Sequence, residues 1–248
     1  MTSFKDLHVP GDPLILPNAW DFASGAALVS AGFPAIGTTS LGIAAAAGVR
    51  DGTGSTWELT RALAFRLSRL DAHITVDLEH GFAEEPGAVA DRVAQLDGVA
   101  GINLEDRHGD PGRHAQLIAA VKERNPHLFV NARTDTHWLR EGDLEDALDR
   151  CDRYVEAGAD GVFVPGLPLG DISTVTAEID APVNVLYQPQ QTVAELAARG
   201  VARVSTGSLL FRAALQTGIA AAAAIRAGDD LQRADPPSYE AVDSLADL

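Results

Sequence analysis

Residues 73–82, HITVDLEHGF, carry the alternation on which the fold turns. Successive side chains of a strand point to opposite faces, so Ile74, Val76 and Leu78 share one face and Thr75, Asp77 and Glu79 the other. The apolar face calls for burial. The other face ends in two carboxylates, which repel unless they are hydrated, share a proton or share a cation. This run is one of eight: PLILPN (13–18), PAIGTTS (34–40), HITVDLE (73–79), VAGINLE (99–105), LFVNART (128–134), DGVFVPG (160–166), PVNVLY (182–187) and VARVSTG (201–207). Helical patterns follow each of them. Eightfold strand–helix alternation predicts an α/β fold, a single (β/α)8 TIM-type barrel over residues 1–248. The last helix and tail, about 208–248, form a C-terminal helical extension. An open doubly wound sheet usually carries a Gly-x-Gly-x-x-Gly turn after its first strand, and LPNAWDFASG has none. Ser55 and Glu58 have the spacing of a capping box, and Gly158 and Gly200 stand where helices end.

Bulk properties narrow the function. A net charge of −16 argues against nucleic-acid binding, which needs basic surface. The single cysteine, Cys151, excludes an intramolecular disulfide and a cysteine metal cluster. The start, MTSFKDLHVPGDP, lacks the basic-then-apolar layout of a signal peptide, and a cytoplasmic location is expected. The most apolar run, GIAAAAAIRAG (218–228), is short and alanine-rich and reads as a packed helix, with no membrane span.

Barrel active sites form where strands run out into the following loops. The polar residues at those ends are Asn18, Thr39, Ser40, Asp77, Glu79, Glu105, Asn131, Arg133, Asn184 and Ser205. Closing the ring gathers Asp77, Glu79 and Glu105 at one mouth, where a hard cation such as Mg2+ (or Mn2+) would hold them. Asp77 is the expected direct ligand. Taken singly, each acid reads as well as a helix cap. Arg133 suits a substrate carboxylate, or else a structural salt bridge. In GTTSLG (37–42) small residues let backbone N–H groups approach an anionic oxygen, or make an ordinary turn. STGSLL (205–210) reads equally as a phosphate site or the cap of the final helix. His80 and His108 fall in mouth loops as acid–base candidates, whereas His8, His114 and His127 look peripheral.

In order along the chain, LPNAWDFASGAALVSAGFPAIGTTSLGIAAAAGVRDG (16–52), VDLEHGF (76–82), GINLED (101–106), NARTDT (131–136) and GADGVFVP (158–165) resemble the isocitrate lyase/phosphoenolpyruvate mutase superfamily, particularly its small bacterial members. The resemblance implies a Mg2+-dependent barrel acting on 2-oxo carboxylates through a pyruvate enolate. It implies Asp77, Glu79 and Glu105 at the metal, with Asp51 holding metal-bound water. Thr39, Ser40 and Leu41 would hold the carboxylate and oxo group, joined by Asn184 as a further substrate-binding candidate. Arg133, Glu105 and His108 are the catalytic candidates. Family members are commonly dimers or tetramers that exchange a C-terminal helix, so a homodimer or homotetramer is expected.

The chain also departs from the family pattern. Lyases of this superfamily carry a Lys-(Lys/Arg)-Cys-Gly-His loop after the fourth strand, where this chain has DRHGDPGRHA (106–115), without Cys or Lys. Pro165 stands where those enzymes place Glu or His. A lysine-rich gating loop is missing too. Loss of CO2 needs no cysteine, so the expected activity is C–C cleavage or decarboxylation of an oxaloacetate-like acid. The alternatives are P–C chemistry on phosphonopyruvate and a barrel that only binds a metabolite. No strand end offers a Schiff-base lysine.

Overall fold

The computed structural model describes residues 2–229 and 236–248. Its strands are β1 (Leu14–Leu16), β2 (Asn18–Ala19), β3 (Ala35–Thr38), β4 (His73–Asp77), β5 (Gly101–Glu105), β6 (Phe129–Arg133), β7 (Gly161–Phe163), β8 (Val183–Leu186) and β9 (Arg203–Ser205). They form one parallel sheet in the order β1-β9-β8-β7-β6-β5-β4-β3-β2. β1 and β2 are a single stave interrupted at Pro17, which has no N–H to donate. The first half pairs with β9 and the second with β3, so eight staves close the ring. Asn18 helps to fasten this seam: its Oδ1 accepts from the Thr206 N–H at 3.1 Å and the Gly207 N–H at 2.9 Å. The eight expected strands and the TIM-type architecture are all present.

The apolar face of each stave looks outward. Ile74, Val76, Ile102, Leu104 and Val130 pack with Leu63, Leu67, Val89, Val93, Ile118 and Val121 from the surrounding helices. On the other side, Val162, Val164, Val183, Val185 and Val204 pack with Cys151, Ile172, Val175 and Leu196. Each fully buried side chain of this size contributes about 1.5–3 kcal/mol. Burial pushes the Cys151 thiol up, so it is a core hydrophobe and an unreactive one.

The buried set also includes Thr75, Asn103, Asn131, Asn184, Arg203 and Ser205, the alternate residues of the same strands. The barrel lumen is therefore polar in its upper part, where many barrels stack aliphatic layers. Arg203 is wholly buried, which pushes it down to about 9 against the opposing field of Asp77, so it stays cationic at neutral pH. Phe4, Leu14, Leu16, Ala35 and Phe129 plug the bottom, with the His8 ring stacked 4.3 Å from that of Phe129.

Two buried histidines set the acid limit of stability. Burial pushes His8 to about 4, with Arg203 adding to it and Asp160 opposing. Burial does the same to His114, also to about 4, with Asp106 opposing and Arg150 adding. Below its unfolded pKa of 6.5 each histidine takes a proton in the unfolded chain that the folded chain refuses until about 4. The stability that depends on these neutral histidines is therefore full above 6.5 and falls as pH drops. Each histidine removes about 2 kcal/mol by pH 5, at about 1.4 kcal/mol per pH unit. Urea unfolding at pH 7 and pH 5 should show this loss, and His114→Gln should reduce it by about 2 kcal/mol.

Three local readings need correction. Thr56, and not Ser55, is the N-cap of the helix Trp57–Leu67, and no side chain caps it, because the Thr56 hydroxyl donates to Glu79 instead. The strand β4 stops at Asp77, and Glu79 adopts a left-handed φ of 48°, so the two acids do not share one strand face. The helix Leu209–Ala227 is not packed as expected. Phe211 is its one buried residue, and Leu215, Ile219 and Ile225 are more than half exposed. It is the one helix among the described residues long and apolar enough to cross a membrane by length and composition. Of the expected tail, 230–235 lies outside the described residues. Beyond it, Tyr239–Asp243 is helical and Leu245 packs against the main core.

Candidate active site

The mouth at the C-terminal ends of the strands opens into a cavity of about 540 Å3. Thr39, Ser40, Leu41, Asp51, Asp77, Glu79, Glu105 and Arg133 all line it, so these sequence candidates come together. Six carboxyl-bearing residues there, with Asp135 and Glu141 completing the set, face two arginines, Arg107 and Arg133. That excess of negative charge calls for a cation.

Asp77 closes β4. Its N–H donates to Thr38 Oγ1 at 2.9 Å and its Oδ2 accepts from the Ser40 N–H at 3.3 Å. Oδ1 is buried with no protein partner. A carboxylate oxygen in that state lacks several kcal/mol of compensation unless a ligand supplies it. Glu79 is better satisfied, its Oε2 accepting from the Gly54 N–H at 3.1 Å and its Oε1 from the Thr56 hydroxyl at 2.8 Å. These donors come from the loop after Asp51, and their grip explains the turned backbone that carries Glu79 into the cavity.

Asp51 is pushed up by burial, with the Ser40 hydroxyl opposing and the charges of Asp77 and Glu79 adding. Glu105 is pushed well up by burial; Arg133 opposes this, and Asp77, Asp135 and Asp51 add to it. Arg133 Nη1 is paired with Glu105, and Nε donates to Asp135 Oδ1 at 2.6 Å. Burial acts against its charge, but Glu105, Asp135 and Asp77 outweigh it and hold the guanidinium firmly protonated. The salt-bridge reading of Arg133 is thus correct as far as it goes. Among the described residues its Nη2 has no hydrogen bond, which leaves that nitrogen's N–H groups for a ligand.

Two expected site residues lie elsewhere. His108 is outside the cavity lining, held between two acids: Nε2 lies 2.8 Å from Asp146 Oδ2, behind the mouth, and Nδ1 3.3 Å from Oε2 of the lining residue Glu141. Asn184 is buried off the lining, its Oδ1 accepting from the Ser205 hydroxyl at 3.1 Å. His80 also stands off the lining, behind Gly54. The lining adds Asn103, Arg107, Asp135, Trp138, Leu139, Phe163 and Leu186, none of them expected from sequence. Asn103 and Glu105 alternate on β5, so the period-2 rule applied to that strand would have found Asn103.

The residues fit a hard divalent cation. The orphaned Asp77 Oδ1 offers a ligand, and Asp51, Glu79 and Glu105 surround it with acceptors. Among the described residues no three of these groups form a closed cluster. Mg2+ needs no such cluster, because it keeps several waters and takes one or two carboxylates directly.

The sequence model of the phosphoenolpyruvate phosphomutase family matches residues 4–226. The chain belongs to that family. It is thus a member of the isocitrate lyase/phosphoenolpyruvate mutase superfamily, whose lyases and mutases make this an enzyme-type barrel. An uncharacterized protein of Mycobacterium tuberculosis is 47% identical over 240 residues, covering 94% of this chain and 93% of its own length. The 2-methylisocitrate lyase of Bacillus subtilis is 30% identical over 179 residues, 66% of this chain and 59% of that lyase. A solved Burkholderia cenocepacia structure, described only provisionally as a phosphonomutase, is 38% identical with a TM-score of 0.84, covering 88% of this chain and 97% of its own.

Proposed function

We propose that this family member is a Mg2+-dependent cytoplasmic lyase, with Mn2+ as a substitute. It breaks a bond at C3 of a small 2-oxo (or 2-hydroxy) acid, by C–C cleavage or decarboxylation of an oxaloacetate-like substrate. The observation that carries the reading is the buried, unpartnered Asp77 Oδ1 in the same cavity as the unused Nη2 of Arg133. Asp77 would hold the cation directly, with Asp51, Glu79 and Glu105 ordering its waters. The cation supplies Lewis-acid polarisation of the 2-oxo group. Arg133 Nη2 orients the substrate carboxylate. The Ser40 N–H is already committed to Asp77, so the Leu41 N–H is the backbone donor left for the developing enolate oxygen. Trp138, Leu139, Phe163, Pro165 and Leu186 give one side of the cavity an apolar wall that excludes water from the reacting carbons.

Pyruvate release from a panel of 2-oxo diacids tests this. Turnover should require Mg2+, stop with EDTA and return when the metal is restored; metal-independent release contradicts the reading. The family match itself favours a second reading, P–C chemistry on phosphonopyruvate, which phosphorus NMR of that substrate would reveal. The exposed apolar side chains of Leu209–Ala227 support assembly as a homodimer or homotetramer through that helix, measurable by sedimentation.

A further inference from the structure

Arg203 is a buried cation without a carboxylate partner among the described residues, an arrangement that stability alone does not favour. It projects from β9 across the lumen to β5, four staves away, where its Nη2 donates to Asn103 Oδ1 at 3.0 Å. Its Nε donates to Ser205 Oγ at 3.1 Å, and its Nη1 is buried with no partner. Asn103 Oδ1 also accepts from Asn131 Nδ2 at 2.8 Å.

A guanidinium only donates, so this contact dictates which way the Asn103 amide turns. The oxygen must face Arg203 and Asn131. The Nδ2 group is then left over, without a hydrogen bond to the described residues, on a side chain that lines the cavity. Asn103 is also the register partner of Asp77 on the adjoining stave, which puts its free donor next to the proposed metal ligand. Ser205, the other residue that Arg203 touches, lines the cavity too and passes its own proton on to Asn184.

We infer that Asn103 is a substrate-binding residue, donating its amide N–H to an anionic oxygen of the 2-oxo acid, and that Arg203 is the positioning residue that locks this amide from beneath and places a positive charge under the bound anion. The inference rests on the 2-oxo acid reading of the cavity and adds to it a residue pair that recognises the ligand independently of Arg133.

Arg203→Met separates this role from a structural one. It removes the buried charge, fills similar volume and orphans no neighbour: Asn103 Oδ1 keeps Asn131 and the Ser205 hydroxyl keeps Asn184. Exchange of a buried, poorly compensated charge for an apolar side chain is neutral or stabilising. The melting temperature should therefore hold or rise. Calorimetric affinity for oxalate in the presence of Mg2+ should nevertheless fall about tenfold or more, because the Asn103 amide loses the contact that aims it and a hydrogen bond to a charged group is worth that much. Asn103→Ala should weaken oxalate by about 10- to 100-fold on the same ground. If the wild type binds oxalate and both variants bind it equally well, the inference fails while the cavity reading stands. Affinity lost only in proportion to a lowered melting temperature also overturns it. Absence of oxalate binding by the wild type overturns both.

Discussion

Asp77→Asn is expected to lower Mg2+-dependent turnover by about 1,000-fold, because the Lewis-acid contribution lost with the metal is several kcal/mol and each 1.36 kcal/mol is tenfold in rate. The barrel should remain folded. The carboxamide oxygen can still accept the Ser40 N–H, and a like charge that pushes Asp51 and Glu105 up is removed. The melting temperature should therefore be unchanged or higher without metal, while its rise on adding Mg2+ disappears. Turnover and melting curves, each with and without Mg2+, measure both halves. A variant that keeps turnover would show that Asp77 is not the ligand, and one that unfolds would show that it is structural.

The largest loss of stability is expected at Asp106, next along the chain from Glu105. Its Oδ1 accepts from the Asp135 N–H at 2.9 Å and the His108 N–H at 2.8 Å. Its Oδ2 accepts from the Tyr154 hydroxyl at 2.7 Å and Arg150 Nη1 at 3.0 Å. Burial would raise Asp106, but those hydrogen bonds overcome it and hold the carboxyl below its usual range. The stability this gives is present above the unfolded value of 3.8 and is lost as pH falls through the lower folded one. In Asp106→Asn the amide N–H2 must face donors whichever way it turns, and the buried Arg150 is left with Asp146 as its one carboxylate partner among the described residues. The cost should be about 3–5 kcal/mol in urea unfolding. Adding Arg150→Met should restore part of it, about 2 kcal/mol of coupling, since the Tyr154 hydroxyl can turn to accept from the amide. Additive losses would contradict the network. Because Asp106 anchors the backbone of Asp135, which in turn holds Arg133, the single variant should also weaken oxalate binding.

The staves were legible because each alternates under a helix layer, as Ile74 and Val76 do, and local period suffices to reveal that. What the sequence hid depends on contacts between distant segments. Glu79 reached the cavity through a left-handed turn gripped by Gly54 and Thr56, so the shared-face reading found the right residue by the wrong geometry. His108 has the chemistry of a catalytic residue, yet Asp146, 38 positions away, holds it outside the lining. Asn184 was expected at a strand end, but it is the second residue of β8 and serves Ser205 beneath the cavity. Arg203 reads as an outlier in VARVSTG, and only closure of the ring shows that its partner is Asn103, 100 positions earlier.

In the proposed reaction, carboxylates from neighbouring staves jointly hold one divalent ion on which the 2-oxo acid sits. Anomalous diffraction from a crystal soaked in Mn2+ and oxalate tests it most directly. A single peak bonded to Asp77 is expected, with Asp51, Glu79 and Glu105 reaching it through water and oxalate completing its shell beside Arg133. A peak away from Asp77, or oxalate bound in the cavity with no metal, would contradict it.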